Sequence, residues 1–244
     1  MCYDGARLEG HGDLRRILLP RYFLAITFSL AGWIGGLQQH AGLTLDQVLR
    51  QLDDQARSFH GMTADVERTK VTVVVNDHST ESGQMIVHGD DMRIELKSPN
   101  ARTILRRGDK LSIYNPKLNR VEEYDLGKHR TLVDQFLLLG FGTSGKSLQK
   151  AYEVTMAGES TRDGKRVVEL DLTPRSAEVA NQISTIQIWF DEGSWLPVQQ
   201  KFIESGSGDY FEIHYSNAVR NATIPKDAFK DEWPKGTVKV RPQG

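Results

Sequence analysis

The sequence predicts an α+β chain, mainly antiparallel β, in which about eleven strands form one sheet covered by helices. Three observations lead there. Residues 44–60 carry an apolar stripe of helical period, whereas after Gly61 the period falls to two and β-branched and aromatic residues recur in short runs. Turn signals separate those runs, among them Asn76-Asp77, Gly108-Asp109, Asn115-Pro116 and Asp163-Gly164.

The N-terminal segment reads as an export signal, and the chain divides into a leader at 1–41 and a single domain at 42–244. Arg15, Arg16 and Arg21 precede the apolar run 22–37, and no Asp, Glu, Lys or Arg follows until Asp46. Sixteen apolar or small residues fall short of the roughly 20 that cross a bilayer comfortably, which favours a cleaved signal peptide over an uncleaved anchor. A periplasmic location follows. Cys2 is the only cysteine, so a disulfide framework, a thiolate metal site and an acylated cysteine after the apolar run are excluded.

The first helix is predicted over 44–60, where Leu45, Val48, Leu49, Leu52, Ala56 and Phe59 share a face and Thr44 with Gln47 fits a capping box. Strands are predicted at 62–76, 81–89, 91–97, 101–107, 110–115, 119–125, 152–161, 164–173, 183–191, 195–204 and 209–217. Met92, Ile94 and Leu96 alternate with Arg93, Glu95 and Lys97, so one face is apolar and the other wet. Twist accumulates in a sheet this long, and its apolar face must be rolled inward or covered. The covers are the first helix and residues 130–151, where Leu132, Val133, Phe136, Leu137, Leu138, Leu139 and Phe141 are nearly continuous. That segment is either a plug of the core or a lid over a cavity.

Composition limits the functions available. A net charge of -1 and a pI near 6.7 supply no field for holding a phosphate backbone, and nucleic-acid binding is not expected. No metal or other cofactor is expected, because the seven histidines show no paired ligand spacing. Neighbouring acids such as Asp53-Asp54, Asp90-Asp91 and Glu122-Glu123 read as solvated, and no residue is assigned a catalytic role. Gly140 to Ser147 does satisfy the phosphate-loop pattern, and 186–192 mimics a strand ending in a magnesium-binding Asp191. That chemistry needs a parallel strand-loop-helix, whereas here the motif sits between antiparallel meanders; helix-ending and helix-starting turn chemistry accounts for the same letters.

SFHGMTADVERT, ESGQMIVHGDDMRIELKSP, GDKLSIYNPKLNRVEEYDL, FLLLGFG, VVELDLTPRS and IPKDAFKDEWPKGTVKV, in that order and spacing, resemble the LolA family of periplasmic outer-membrane lipoprotein carriers from about Leu43 to Val240. The resemblance implies an open half-barrel covered by helices, a non-enzymatic chaperone whose concave face receives acyl chains and which shuttles lipoproteins from the inner to the outer membrane. Expected partners are acylated lipoproteins or lipids, an inner-membrane release complex and an outer-membrane acceptor, with the carrier itself a monomer.

By strand position the acyl-binding candidates are Met85, Val87, Met92, Ile94, Leu96, Ile104, Leu111, Ile113, Ile186, Ile188, Phe202, Phe211 and Ile213. A register error of one residue would turn any strand over. The lid candidates are Leu132, Val133, Phe136, Leu137, Leu138 and Phe141. The family's lid-latching arginine falls in the stretch HGDDMR, where Arg93 is nearest but lies on the polar side of the alternation. Two other readings stay open: a lipid-sensing regulatory envelope protein of the same fold, which usually carries a second domain for which this chain leaves no room, and a structural domain whose interior is filled by its own side chains. A carrier needs room for a guest beneath the leucine-rich segment.

Overall fold

The computed structural model describes residues 42–97, 99–127, 136 and 138–242. The leader and the lid candidates Leu132, Val133 and Leu137 lie outside the described residues.

Helix α1 spans Leu45–Arg57 and begins as the capping box requires: the Gln47 amide donates to Thr44 Oγ1, and the Gln47 side chain accepts from the Thr44 amide. Its stripe buries Val48, Leu49 and Leu52. Twelve strands follow: β1 Gly61–Thr72, β2 Asp77–His88, β3 Asp91–Leu96, β4 Arg102–Arg107, β5 Lys110–Asn115, β6 Arg120–Asp125, β7 Tyr152–Arg162, β8 Lys165–Pro174, β9 Ile183–Asp191, β10 Pro197–Glu204, β11 Tyr210–Arg220 and β12 Val238–Val240. Helix α2, Gly145–Ala151, starts at the N-cap Ser144, and a single turn, α3, covers Ala177–Ala180.

All the strands form one sheet in the order β12-β6-β5-β4-β3-β2-β1-β11-β10-β9-β8-β7. It consists of two meanders, β1 to β6 and β7 to β11, joined where β11 returns to lie antiparallel beside β1. The edges are β12 and β7, so the sheet is open. Two expectations need correction. The sheet has a twelfth strand, and β12 pairs with β6 in parallel; three residues are too few to show a period. The first strand ends at Thr72 rather than 76, because Val73–Val75 form a 3₁₀ turn closed by Asn76 in the left-handed region at φ 49°.

The side-chain alternation then separates two faces. The inner face lies under α1, α2 and residues 138–143, where two apolar clusters form. The outer face of β3 to β6 is not simply wet, because the C-terminal segment crosses it: Trp233 stacks on Tyr114 at 5.1 Å, and Lys110 bridges Glu123 and Asp231 at 2.8 and 2.6 Å. Glu123, expected to be solvated, is therefore buried, and hydrogen bonds from Lys110 hold its carboxyl below the usual carboxylate range.

Candidate functional site

The inner face is continuous across the sheet, and the strand register proves it. Leu170 pairs with Ile188 and Leu172 with Ile186; Ile186 pairs with Phe202, and Phe202 with Phe211. Ile213 pairs with Arg68 on β1. On the other meander Val87 pairs with Met92, Met85 with Ile94 and Gly83 with Leu96. Ile94 then faces Ile104, Ile104 faces Ile113, and Arg106 faces Leu111. All thirteen acyl-binding candidates therefore share one face.

They are not equally enclosed. Met85, Val87, Met92, Leu96, Ile186, Ile188 and Phe202 are buried, whereas Ile94, Ile104, Phe211 and Ile213 pack half-buried against the same clusters. Leu111 and Ile113 lie on the same face, half-buried, but belong to neither cluster.

The cover over this face is made by α1, α2 and the leucine-rich segment. Leu139 enters the cluster on β8 to β10, and Phe136 lies 6.2 Å from Phe202, ring to ring. Leu138 and Phe141 enter the cluster on β1 to β3. The segment turns at Gly140, whose φ of 82° favours glycine, and Thr143 closes the turn by accepting from the Gly140 amide and donating to the Leu138 carbonyl. Deeper contacts come from β10 and β11: Gln200 Nε2 donates to the Leu139 carbonyl at 2.7 Å, the Tyr215 hydroxyl donates to Gln200 Oε1 at 2.7 Å, and Phe141 meets the Tyr215 ring edge-on at 5.1 Å. Burial pushes the Tyr215 phenol far above its ordinary value, so it stays a donor.

An open groove of about 720 Å³ runs beside this cover, lined by Phe59, Leu138, Phe141, Leu148, Tyr152 and Arg175 among others. Two lid candidates line it, and none of the thirteen sheet candidates does. Apart from Leu111 and Ile113, the sheet candidates are packed instead into the two clusters with the cover.

Charged residues on the inner face escaped the sequence reading. Arg106 is fully buried, facing Met92 and Leu111 across the strands. Arg102 grips Glu81 through two hydrogen bonds of 2.6 and 2.7 Å, and Arg68 stands 3.6 Å from the same carboxylate, its Cζ 4.7 Å above the Phe211 ring. The Arg102 hydrogen bonds hold the Glu81 carboxyl below its ordinary value. The signal was available, since Arg68 continues the inward alternation Met62, Ala64, Val66. Arg93, by contrast, bonds Glu95 at 2.7 Å and the Lys230 carbonyl at 3.4 Å on the outer face, where it cannot latch the inner cover.

Gly140 to Ser147 does not form a phosphate cradle. Helix α2 has seven residues, the Lys146 amide donates to the Asp53 carboxylate at 3.1 Å, and the α1 backbone at Leu49 presses on Gly145. A carboxylate stands where a phosphate would need bare amides. Asp191 is occupied by the Gly193 amide and the Ser194 hydroxyl. Among the described residues no group of three His, Cys, Asp or Glu side chains is placed to hold a metal ion, and no helix is long and apolar enough to cross a membrane.

Residues 57–232 match the family model described as outer membrane lipoprotein carrier protein LolA. An outer-membrane lipoprotein carrier protein of Chromohalobacter salexigens is 24% identical over 187 residues, covering 70% of this chain and 83% of that protein. An uncharacterized protein of Methanocaldococcus jannaschii is 21% identical over 225 residues; the match takes in 88% of this chain and only 59% of the length of that relative. Among solved structures, an uncharacterized conserved protein of Thermus thermophilus shares the fold at a TM-score of 0.53 and 9% identity, over 82% of this chain and all of that one.

Proposed function

The chain belongs to the LolA family of outer membrane lipoprotein carrier proteins, and from that premise we propose that it is an exported, monomeric, non-enzymatic envelope carrier that shields the acyl chains of lipoproteins between the inner and the outer membrane. The observation that carries this reading is the largely apolar inner face under a cover that rests on it through a few side chains and one amide contact, from Gln200 to the Leu139 carbonyl.

Magnitudes support a carrier whose cover lifts. Re-exposing Leu138, Leu139 and Phe141 costs about 1.5–3 kcal/mol each, and the Gln200–Leu139 hydrogen bond adds about 1 kcal/mol. Burying acyl methylenes returns about 0.8 kcal/mol apiece, so about ten of them balance the opening. A guest of that size displaces the cover at little net cost, and the cover competes for the same face when the guest leaves. Loading from an inner-membrane release complex and discharge to an outer-membrane acceptor then need only small biases at each end.

The test is binding of a fluorescent fatty-acyl probe to the full chain. Saturable binding is expected, weakened about tenfold or more by Leu138→Asp, which sets a charge in the apolar contact. A wild-type protein silent to the probe and free of co-purified lipid would overturn the reading; an unchanged affinity in the variant would remove the segment from the site.

A further inference from the structure

The inner face changes character along a single strand. From Met62 through Ala64 and Val66 it is apolar, and at Arg68 and Lys70 it becomes cationic. The four residue steps from Met62 to Val66 span about 13 Å, against about 15 Å for one leaflet of a bilayer core, so the apolar row matches an extended acyl chain. Arg68, Glu81 and Arg102 stand at the end of that row, beside Leu96, Phe211 and Ile213, whose side chains continue the apolar surface.

Charges at inward strand positions are costly unless they are paired or used. Glu81 is paired: its side chain is 9% exposed, and both oxygens are taken by Arg102. Arg68 is not matched in the same way. Its guanidinium is 3.6 Å from that carboxylate, a longer and weaker contact than the two that Arg102 makes. Lys70, the next inward position, lies 3.7 Å from Glu204. The five groups carry a net charge of +1, and Arg68, 30% exposed, offers its donor fork at the boundary between the apolar row and water. Burial also lowers the Arg68 pKa from its ordinary value, against the opposing pull of the Glu81 carboxylate.

We infer that Arg68, steadied by the Glu81–Arg102 pair, binds the phosphate of a lipid headgroup whose acyl chains lie along the apolar row. The planar guanidinium fork fits phosphate oxygens, and Glu81 does not bar the anion because Arg102 already engages it. The inference rests on the acyl-carrier reading and adds phosphate-bearing lipids to its cargo.

The test uses the full chain and two fluorescent probes with identical acyl chains, a phosphatidic acid and a diacylglycerol. Wild type is expected to bind the phosphatidic acid about tenfold more tightly or better, the effect of one charge-assisted contact, with no displacement by excess inorganic phosphate. R68Q is expected to bring the ratio close to one, and R68K, which keeps the charge without the fork, to retain part of it. Equal wild-type affinities would overturn the headgroup site and leave acyl binding standing; failure to bind either probe would overturn both readings. Displacement by inorganic phosphate alone would reassign the site to the free ion, and an R68Q ratio as high as wild type would remove Arg68 from it. Should R68Q lose both probes by unfolding, the wild-type ratio and R68K still decide.

Discussion

Tyr215 donates a 2.7 Å hydrogen bond to the Gln200 side chain, whose own amide holds the Leu139 carbonyl at the same distance. Both side chains are buried, so the pair ties the leucine-rich cover to the middle of the sheet through groups that have no water to fall back on.

Removing one member leaves buried polar atoms without partners, at about 1–3 kcal/mol. Tyr215→Phe and Gln200→Leu are therefore expected to lower thermal stability, with the larger loss in Gln200→Leu, which strands both the Leu139 carbonyl and the Tyr215 hydroxyl. Amide exchange across residues 138–143 should accelerate and acyl-probe association should quicken. Unchanged exchange in both variants would show that the cover is held elsewhere.

Glu81 makes stability depend on acid. Its folded pKa is depressed, chiefly by the Arg102 hydrogen bonds, so its stabilising contribution is present above the unfolded glutamate value and is lost as pH falls through the folded one. At neutral pH Glu81→Gln is expected to cost about 2 kcal/mol, and the gap between variant and wild-type melting temperatures should narrow below about pH 4. A gap that is constant with pH would remove Glu81 from the acid response.

Gly145 opens α2 against the backbone of Leu49, where an added Cβ would collide with the Leu49 carbonyl. Gly145→Ala is expected to push α2 from α1 and to cost about 1–3 kcal/mol in urea denaturation. Under the packing account, calorimetric titration with magnesium-ATP should detect no binding to wild type; binding abolished by Lys146→Ala would restore the phosphate-loop reading.

Trp233 stacks on Tyr114 and anchors the C-terminal segment on the outer face. Trp233→Ala is expected to cost about 3 kcal/mol and to expose residues 225–241 to limited proteolysis while acyl-probe binding on the opposite face persists. Parallel loss of probe binding would couple the two faces.

Much of the fold is legible in residue order because its signals are local. The Thr44–Gln47 capping box, the alternation of Met92, Ile94 and Leu96 against Arg93 and Glu95, and the paired turn residues each act within a few positions, and each is found where the local rules put it. The same alternation places all thirteen sheet candidates on one face, since a period of two cannot drift within a short strand. What local rules missed is nonlocal. β12 is three residues long and owes its pairing to β6, more than a hundred residues earlier. Glu123 is buried because Trp233 and Asp231 arrive from the far end of the chain.

Residue order alone thus determines that there is an apolar face, which residues form it, and that a leucine-rich segment is available to cover it, because helix and strand periods are properties of neighbouring residues. Tertiary structure decides how that face is occupied: Gln200 and Tyr215 reach Leu139, Arg68 meets Glu81 and Arg102, and the interior is packed against its cover with the groove beside it. Those contacts join residues distant in the chain, and their energies depend on separation and burial in space, which no period in the sequence records.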